Sequence, residues 1–402
     1  MSAFKRLLGQ LSPERAFSLG AIAFVIWYVL LAFAHYLYQR PLWNDEECVL
    51  LNLRLFTSQE VFSREFLSAQ TFPRIYFFLI QNFSRCFDFN LLSLRFFPFL
   101  SMLAAFFVWL KIARYELKEQ GAYFTFVLSW SASAVLIYYA AELKQYSMDV
   151  LAAATFLLFL YHQKNLEEPG PGLKYILILV SLPFLVFFSY PAYLFLVFPL
   201  FNLIHSAKAD RRFIGPLIFY LSSIIVVGAF AYYFDVRLAA NSAKDALSDY
   251  FVYTDSLPQF FQTLGEGTNN LFSRWFVERP KVFKQIGIFF VAFGFINLFY
   301  GFSKNIKKDR CRFYSINTVA LVVFIELFIL GVLKKYPFTI PRTSLFFCPV
   351  VLFLTVQAIF GLRRYNFIYL PLRAAYVIFL LYVAISLSGI TLAGALSFRP
   401  VL

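Results

Sequence analysis

Apolar runs of about 17–25 residues, broken by short stretches carrying lysine and arginine, recur along the whole chain, and each can cross a hydrocarbon core as a helix. Taken with the charges, they predict spans near 17–38, 91–113, 122–141, 147–162, 174–189, 191–205, 213–233, 284–303, 313–333, 343–361 and 374–395. The expected fold is an all-α polytopic membrane protein, a bundle of about 11 transmembrane helices. The first run is too long for the apolar core of a signal peptide and lacks a small-residue cleavage site, so it is expected to stay as a helix.

Lys5, Arg6 and Arg15 precede the first span, which predicts a cytoplasmic N-terminus. Lys111/Arg114/Lys118, Lys164/Lys174, Lys208/Arg211/Arg212, Lys304 to Arg312 and Arg363/Arg364/Arg373 then share that side, and the C-terminus lies outside. The stretch 72–87, "FPRIYFFLIQNFSRCF", is apolar but short and is interrupted by Arg74 and Arg85. Counting it as a span would reverse every later loop, so it is expected to lie on the outer leaflet as an interfacial helix. Residues 39–90 become one long external loop with two surface helices, and 234–283 a second. Pro169-Gly170-Pro171-Gly172 reads as a cytoplasmic turn. No internal repeat and no linker to a soluble domain are evident, so the chain reads as one transmembrane domain without a soluble C-terminal domain.

Composition supports the same class. Of 402 residues 60% are hydrophobic and 14% charged, against about 25% charged in average soluble domains. The formal charge of +14 is spread over many loops, which reads as topology and contact with anionic lipid and speaks against a nucleic-acid-binding module. Four cysteines without CxxC spacing do not suggest a structural zinc site. Cys48 and Cys86 share the first external loop, where a bridge would close about forty residues and contribute roughly 3–4 kcal/mol. Against it, Cys is also a common small buried residue.

Three charged groups need a reason. "PLWNDEECVL" at 41–50 sets Asp45, Glu46 and Glu47 directly after the first span. A purely structural reading makes Asn44 a helix cap with Glu47 completing a capping box, yet a helix start also fixes an exposed carboxylate for chemistry. "YYAAELKQYSMD" at 138–149 sets Glu142, Lys144 and Asp149 between two apolar helices, where ionisable groups are costly and usually face a cavity or a partner, unless they snorkel to the interface. "KKYPFTIPR" at 334–342 carries three cations on the predicted outer side, suited to lipid headgroups or to a dedicated phosphate site. Carboxylates near the first helix and cations on two later loops suit group transfer from a lipid phosphate: the carboxylate deprotonates an acceptor hydroxyl and the cations stabilise the departing phosphate.

At these residues the chain resembles the GT-C superfamily of polyprenyl-phosphate-sugar-dependent glycosyltransferases, specifically the family 39-like members related to protein O-mannosyltransferases and lipid A aminoarabinose transferases. Four segments carry the likeness: "WNDEE", "TFPRIYFFLIQNF…LLSLRFFPFL", "YYAAELKQYSMDVL" and "KKYPFTIPRTSLFFCPVV". The order and spacing agree through residues 1–200, and the middle of the chain shows helix pattern only. The family often has His-Pro-Pro where this chain reads Thr71-Phe72-Pro73-Arg74, so either Arg74 replaces that histidine chemically or the acceptor differs.

The resemblance implies Asp45 as principal catalytic carboxylate with Glu46 beside it. Glu142, Lys144 and Tyr146 would line the donor site, and Arg342, with Tyr336 on the same loop, would hold the lipid-linked phosphate. It implies inverting transfer from a polyprenyl-phosphate-sugar donor to a glycolipid, glycan or protein acceptor, on the external face of a bacterial inner membrane. Some superfamily members need a divalent metal. Because the cations here can serve the phosphate, no catalytic metal and no other cofactor are expected. A flippase or permease for lipid-linked glycans, and a non-enzymatic scaffold whose charged loops meet lipid, are the rival readings; neither needs a carboxylate at Asp45.

Overall fold

The computed structural model describes residues 12–167, 171–239, 251, 256–273, 281–308, 313–337, 340 and 342–392. Lys5 and Arg6, residues 169 and 170 of the turn at 169–172, the end of the 304–312 cluster, positions 393–395 of the last span and much of the second external loop lie outside them. The described residues are helical with no strand. In chain order the helices are α1 (Pro13–Leu37), α2 (Asn44–Leu55), α3 (Arg74–Arg85), α4 (Leu91–Glu116), α5 (Gln120–Ser131), α6 (Ala134–Tyr138), α7 (Tyr146–Glu167), α8 (Leu173–Ser181), α9 (Val197–Ala209), α10 (Ile214–Ala231), α11 (Leu257–Ser273), α12 (Lys281–Lys308), α13 (Ile316–Val332), α14 (Cys348–Gly361) and α15 (Asn366–Leu392). Among the described residues seven helices are long and apolar enough to cross a membrane, or eight if the bent pair α5–α6 is one span. The chain is an all-α polytopic membrane protein.

The expected spans appear as helices, with local differences. The expected helix at 122–141 breaks after Ser131, and its halves meet at 61°. Thr125, Ser129 and Ser131 each turn their hydroxyl back onto the carbonyl four residues earlier, a habit that bends helices. The last helix starts at Asn366 rather than near 374, and tolerates Pro371 as its sixth residue.

Hydrophobic burial sorts the helices. α14 sits at the centre, with 78% of its apolar window buried, whereas α1 has 22% buried and turns much of its surface outward. α1 packs along α5, α4 along α7, and α12 along α14. Gly294 lets α12 approach α14 closely, since a Cβ there would meet the Thr355 hydroxyl at 2.7 Å.

Side-chain contacts give the bundle two chemically different ends. At one, Arg363 pairs with Glu119, Arg114 donates to Gln120, and Arg373 lies over Phe17. At the other, residues 40–90 fold into a cap with an apolar core of its own, made by Val49, Leu53, Phe66, Phe72, Phe77 and Ile80. The two helices expected in this loop are α2 and α3, and α3 buries one face into that core rather than only resting on a surface. Gln81 on α3 donates to the carbonyls of Leu53 and Phe56, satisfying the free end of α2. Cys48 and Cys86 are free thiols, so the bridge considered from their spacing is not formed.

Candidate active site

Asp45 and Glu46 are neighbours in sequence with opposite surroundings. α2 starts at Asn44 with Trp43 as its cap, so Glu46, not Glu47, is the third helical residue, and its carboxylate reaches back to the Trp43 N–H at 3.4 Å. The cap expected at Asn44 is therefore displaced by one position. Glu46 is fully buried and saturated. Arg40 Nη1 donates to it at 2.7 Å, Arg95 grips it with Nε at 3.1 Å and Nη2 at 2.9 Å, and the Leu143 N–H donates at 2.8 Å. This group joins α2, α4 and the 142–145 turn into one rigid unit. It has no open face for a substrate.

Asp45, one residue earlier, turns the other way and keeps part of its side chain accessible. Lys144 Nζ lies 3.0 Å from Oδ1 and Arg342 Nη1 lies 3.0 Å from Oδ2. Gln70 Nε2 donates to Oδ1 at 3.0 Å, and Lys144 also donates to the Gln70 amide oxygen. Burial pushes the Asp45 carboxyl up, but Lys144 and Arg342, with Gln70, outweigh it and hold the group below the usual carboxylate range.

Each partner is placed by local structure. Gln70 follows Ser68 and Ala69, which both have positive φ, 58° and 52°. Two consecutive left-handed non-glycine residues are strained, and the strain is held by Asn52, whose amide exchanges hydrogen bonds with both the N–H and the carbonyl of Leu67. Lys144 sits on a three-residue turn closed by its own N–H onto the Glu142 carbonyl at 2.7 Å. Arg342 is fixed from both sides of its loop. Tyr336 donates to the Thr343 carbonyl at 2.6 Å, and the Thr343 hydroxyl donates to the carbonyls of Pro337 and Ile340. The Arg342 guanidinium also lies over the Trp43 ring, 5.4 Å from its centroid.

Glu142 is 1% exposed, yet neither carboxylate oxygen has a hydrogen-bond partner. Its nearest cation atom is Arg40 Nη2 at 3.9 Å, and Arg40 Nη2 and Nε are themselves unpartnered. Burial first, then the Glu46 charge, raises the Glu142 pKa well above the usual carboxyl range against the pull of Arg40 and Arg342. Around Asp45 itself two cations, Lys144 and Arg342, face one carboxylate, an excess of positive charge suited to an anion.

Of the residues singled out in the sequence, Asp45, Lys144 and Arg342 meet directly. Glu142 lies beside them, and Tyr146 packs edge-on against Tyr139 with centroids 5.5 Å apart. Tyr336 shapes the Arg342 loop through its hydroxyl. Arg74 is not brought into contact with Asp45, Lys144 or Arg342 and has other partners. It is 2% exposed, donates to the carbonyls of Val61 and Arg64 at 2.6 Å each, and its backbone N–H meets Asp235 at 3.2 Å. Its guanidinium also stacks on Phe66 at 3.9 Å. Arg40, Trp43, Gln70 and Arg95 were not singled out. Arg95 carried a readable signal, because a cation inside a predicted span demands a partner.

Among the described residues no group of three or more His, Cys, Asp or Glu side chains could hold a metal ion. Comparison with protein-family profiles, with curated proteins and with solved structures found no match to this chain. The likeness to GT-C glycosyltransferases rests on its four segments alone.

Proposed function

We propose that the chain is an integral-membrane glycosyltransferase that moves a sugar from a polyprenyl-phosphate donor to a hydroxyl acceptor on the external face of the membrane. The observation that carries this reading is Asp45 held between Lys144 and Arg342, 99 and 297 residues away in sequence, at the rim of a bundle of apolar helices. A part-exposed carboxylate beside two cations offers both halves of the reaction. The acceptor oxygen attacks the anomeric carbon as Asp45 takes its proton. The bond from that carbon to the phosphate oxygen breaks, and its electron pair leaves on the phosphate, which Lys144 and Arg342 receive. Displacement of this kind inverts the anomeric centre.

In this reading Glu46 is a positioning residue, not the second catalytic carboxylate expected from sequence, because every approach to it is filled. The basic residues gathered at the end opposite the cap favour that end as cytoplasmic. Reading α7, α8 and α13 as passes along with the longer helices gives the expected count of about eleven. A bacterial inner membrane remains the proposed location.

Reconstitution with a radiolabelled polyprenyl-phosphate sugar and candidate glycolipid, glycan and protein acceptors tests the proposal. Label appearing in an acceptor, with free polyprenyl phosphate released, supports transfer. Label that only changes leaflet with its sugar–phosphate bond intact assigns the chain to the permeases instead.

A further inference from the structure

Asp45 presents a difficulty as a proton acceptor. Each of its oxygens faces a cation at 3.0 Å, and a carboxylate so held is a weak base. The same geometry suggests its resolution. Lys144 and Arg342 converge on one small anion from two separate segments, as two donors converge on the oxygens of a phosphate. Further donors stand ready around them. Arg342 Nε and the indole N–H of Trp43, whose ring lies under the Arg342 guanidinium, are buried without hydrogen-bond partners. Buried donors left unsatisfied are costly, so their number at one place points to a ligand that satisfies them.

We propose that Asp45 occupies, in the unliganded protein, an anion site built for a phosphate group, and that an incoming phosphate displaces it from Lys144 and Arg342. The exchange has two consequences. Phosphate binds more weakly than it would in an empty cationic pocket, because the Asp45 ion pairs are given up as the new ones form. Displacement also frees the carboxylate from its two cations at the moment the donor arrives, so the base is active only when the leaving group is in place. Gln70 keeps a hydrogen bond to Oδ1 and sits on the strained 68–69 turn, so it can hold the released side chain in place. The proposal rests on the glycosyltransferase reading only for the identity of the anion.

The test is binding to the full-length protein in lipid nanodiscs, using farnesyl phosphate, inorganic phosphate and farnesol as probes. Removing the internal competitor in Asp45→Asn, or in Asp45→Ser as a second variant, should tighten farnesyl phosphate binding by about tenfold, while farnesol is unaffected. Adding Arg342→Gln to either variant should abolish the gain. Tightening with farnesyl phosphate alone assigns the site to a lipid headgroup, and tightening with inorganic phosphate as well assigns it to phosphate from either source. A third readout needs no variant: isotope-edited infrared difference spectra of the wild type should show an aspartate carboxylate band shifting when farnesyl phosphate binds. Unchanged or weaker binding in the Asp45 variants, or a wild-type spectrum without that shift, overturns the exchange. Tighter binding in the Asp45 variants, together with a wild type that transfers no sugar, would leave the exchange standing and remove the glycosyltransferase reading.

Discussion

Glu46 and Arg95 lie 49 residues apart and meet in a two-pronged buried ion pair, Nε to Oε1 at 3.1 Å and Nη2 to Oε2 at 2.9 Å. The pair ties the first turn of α2 to the first turns of α4, and so fixes the direction in which the neighbouring Asp45 points. Removing one partner of a buried pair leaves an uncompensated charge, at about 3–5 kcal/mol. Arg95→Met should therefore lower thermal stability, and adding Glu46→Leu should not recover the loss, because buried Arg40 then loses its own partner. An Arg95→Met protein that unfolds with the wild type would show that the pair does not hold the cap.

Lys144 and Arg342 share one anion, so their substitutions should not act independently. Lys144→Met and Arg342→Gln should each weaken binding of a non-hydrolysable polyprenyl-phosphate analogue, with the double variant losing less than the sum. Arg342→Lys should also bind poorly, because an ammonium cannot offer a planar fork to phosphate oxygens. Strictly additive losses across the four proteins would mean two separate contacts.

Glu142 makes a pH-dependent contribution. Its folded pKa is raised by burial from 4.5 to about 8, so the stability linked to its proton is fully present below about pH 4.5 and is lost as pH rises through about 8. Glu142→Gln lacks that loss. The melting temperature of the variant should gain on the wild type as pH increases from 5 to 8, with little difference at the acid end. A constant difference across this window would show that Glu142 is ionised throughout.

The fold was largely legible because long apolar runs leave few alternatives, and the site only in part. Asp45, Lys144 and Arg342 stood out as charges beside apolar helices, which is a costly place to keep them. Gln70 gave no such signal: its role depends on Asn52 pinning Leu67, a contact between an ordinary helix residue and an ordinary loop. The partners of Arg74 gave no signal for a related reason. Local sequence marks a cation near the membrane surface, but not that two backbone carbonyls and Asp235 already claim it. The break between α5 and α6 comes from serine and threonine hydroxyls folding back on their own helix, which an apolar run with a few hydroxyls does not announce.

Topology follows from the separation of the two ends. In a background without native cysteines, Ser63→Cys on the cap should react with an impermeant maleimide in intact cells, and Lys118→Cys only after permeabilisation. Both residues are exposed, so burial does not confuse the outcome. The opposite labelling would invert the orientation and move the proposed site to the cytoplasm.

The most direct measurement is single-turnover transfer from a radiolabelled polyprenyl-phosphate sugar by the wild type and by Asp45→Asn, with melting temperatures recorded for both. Asn nearly matches Asp in shape and keeps a hydrogen bond to Gln70 within reach, so the fold should survive. The account predicts a loss of transfer of at least about a hundredfold, the scale expected when a general base is removed, in protein that melts somewhat earlier than the wild type but is fully folded at the assay temperature. Transfer by Asp45→Asn at close to the wild-type rate would contradict it.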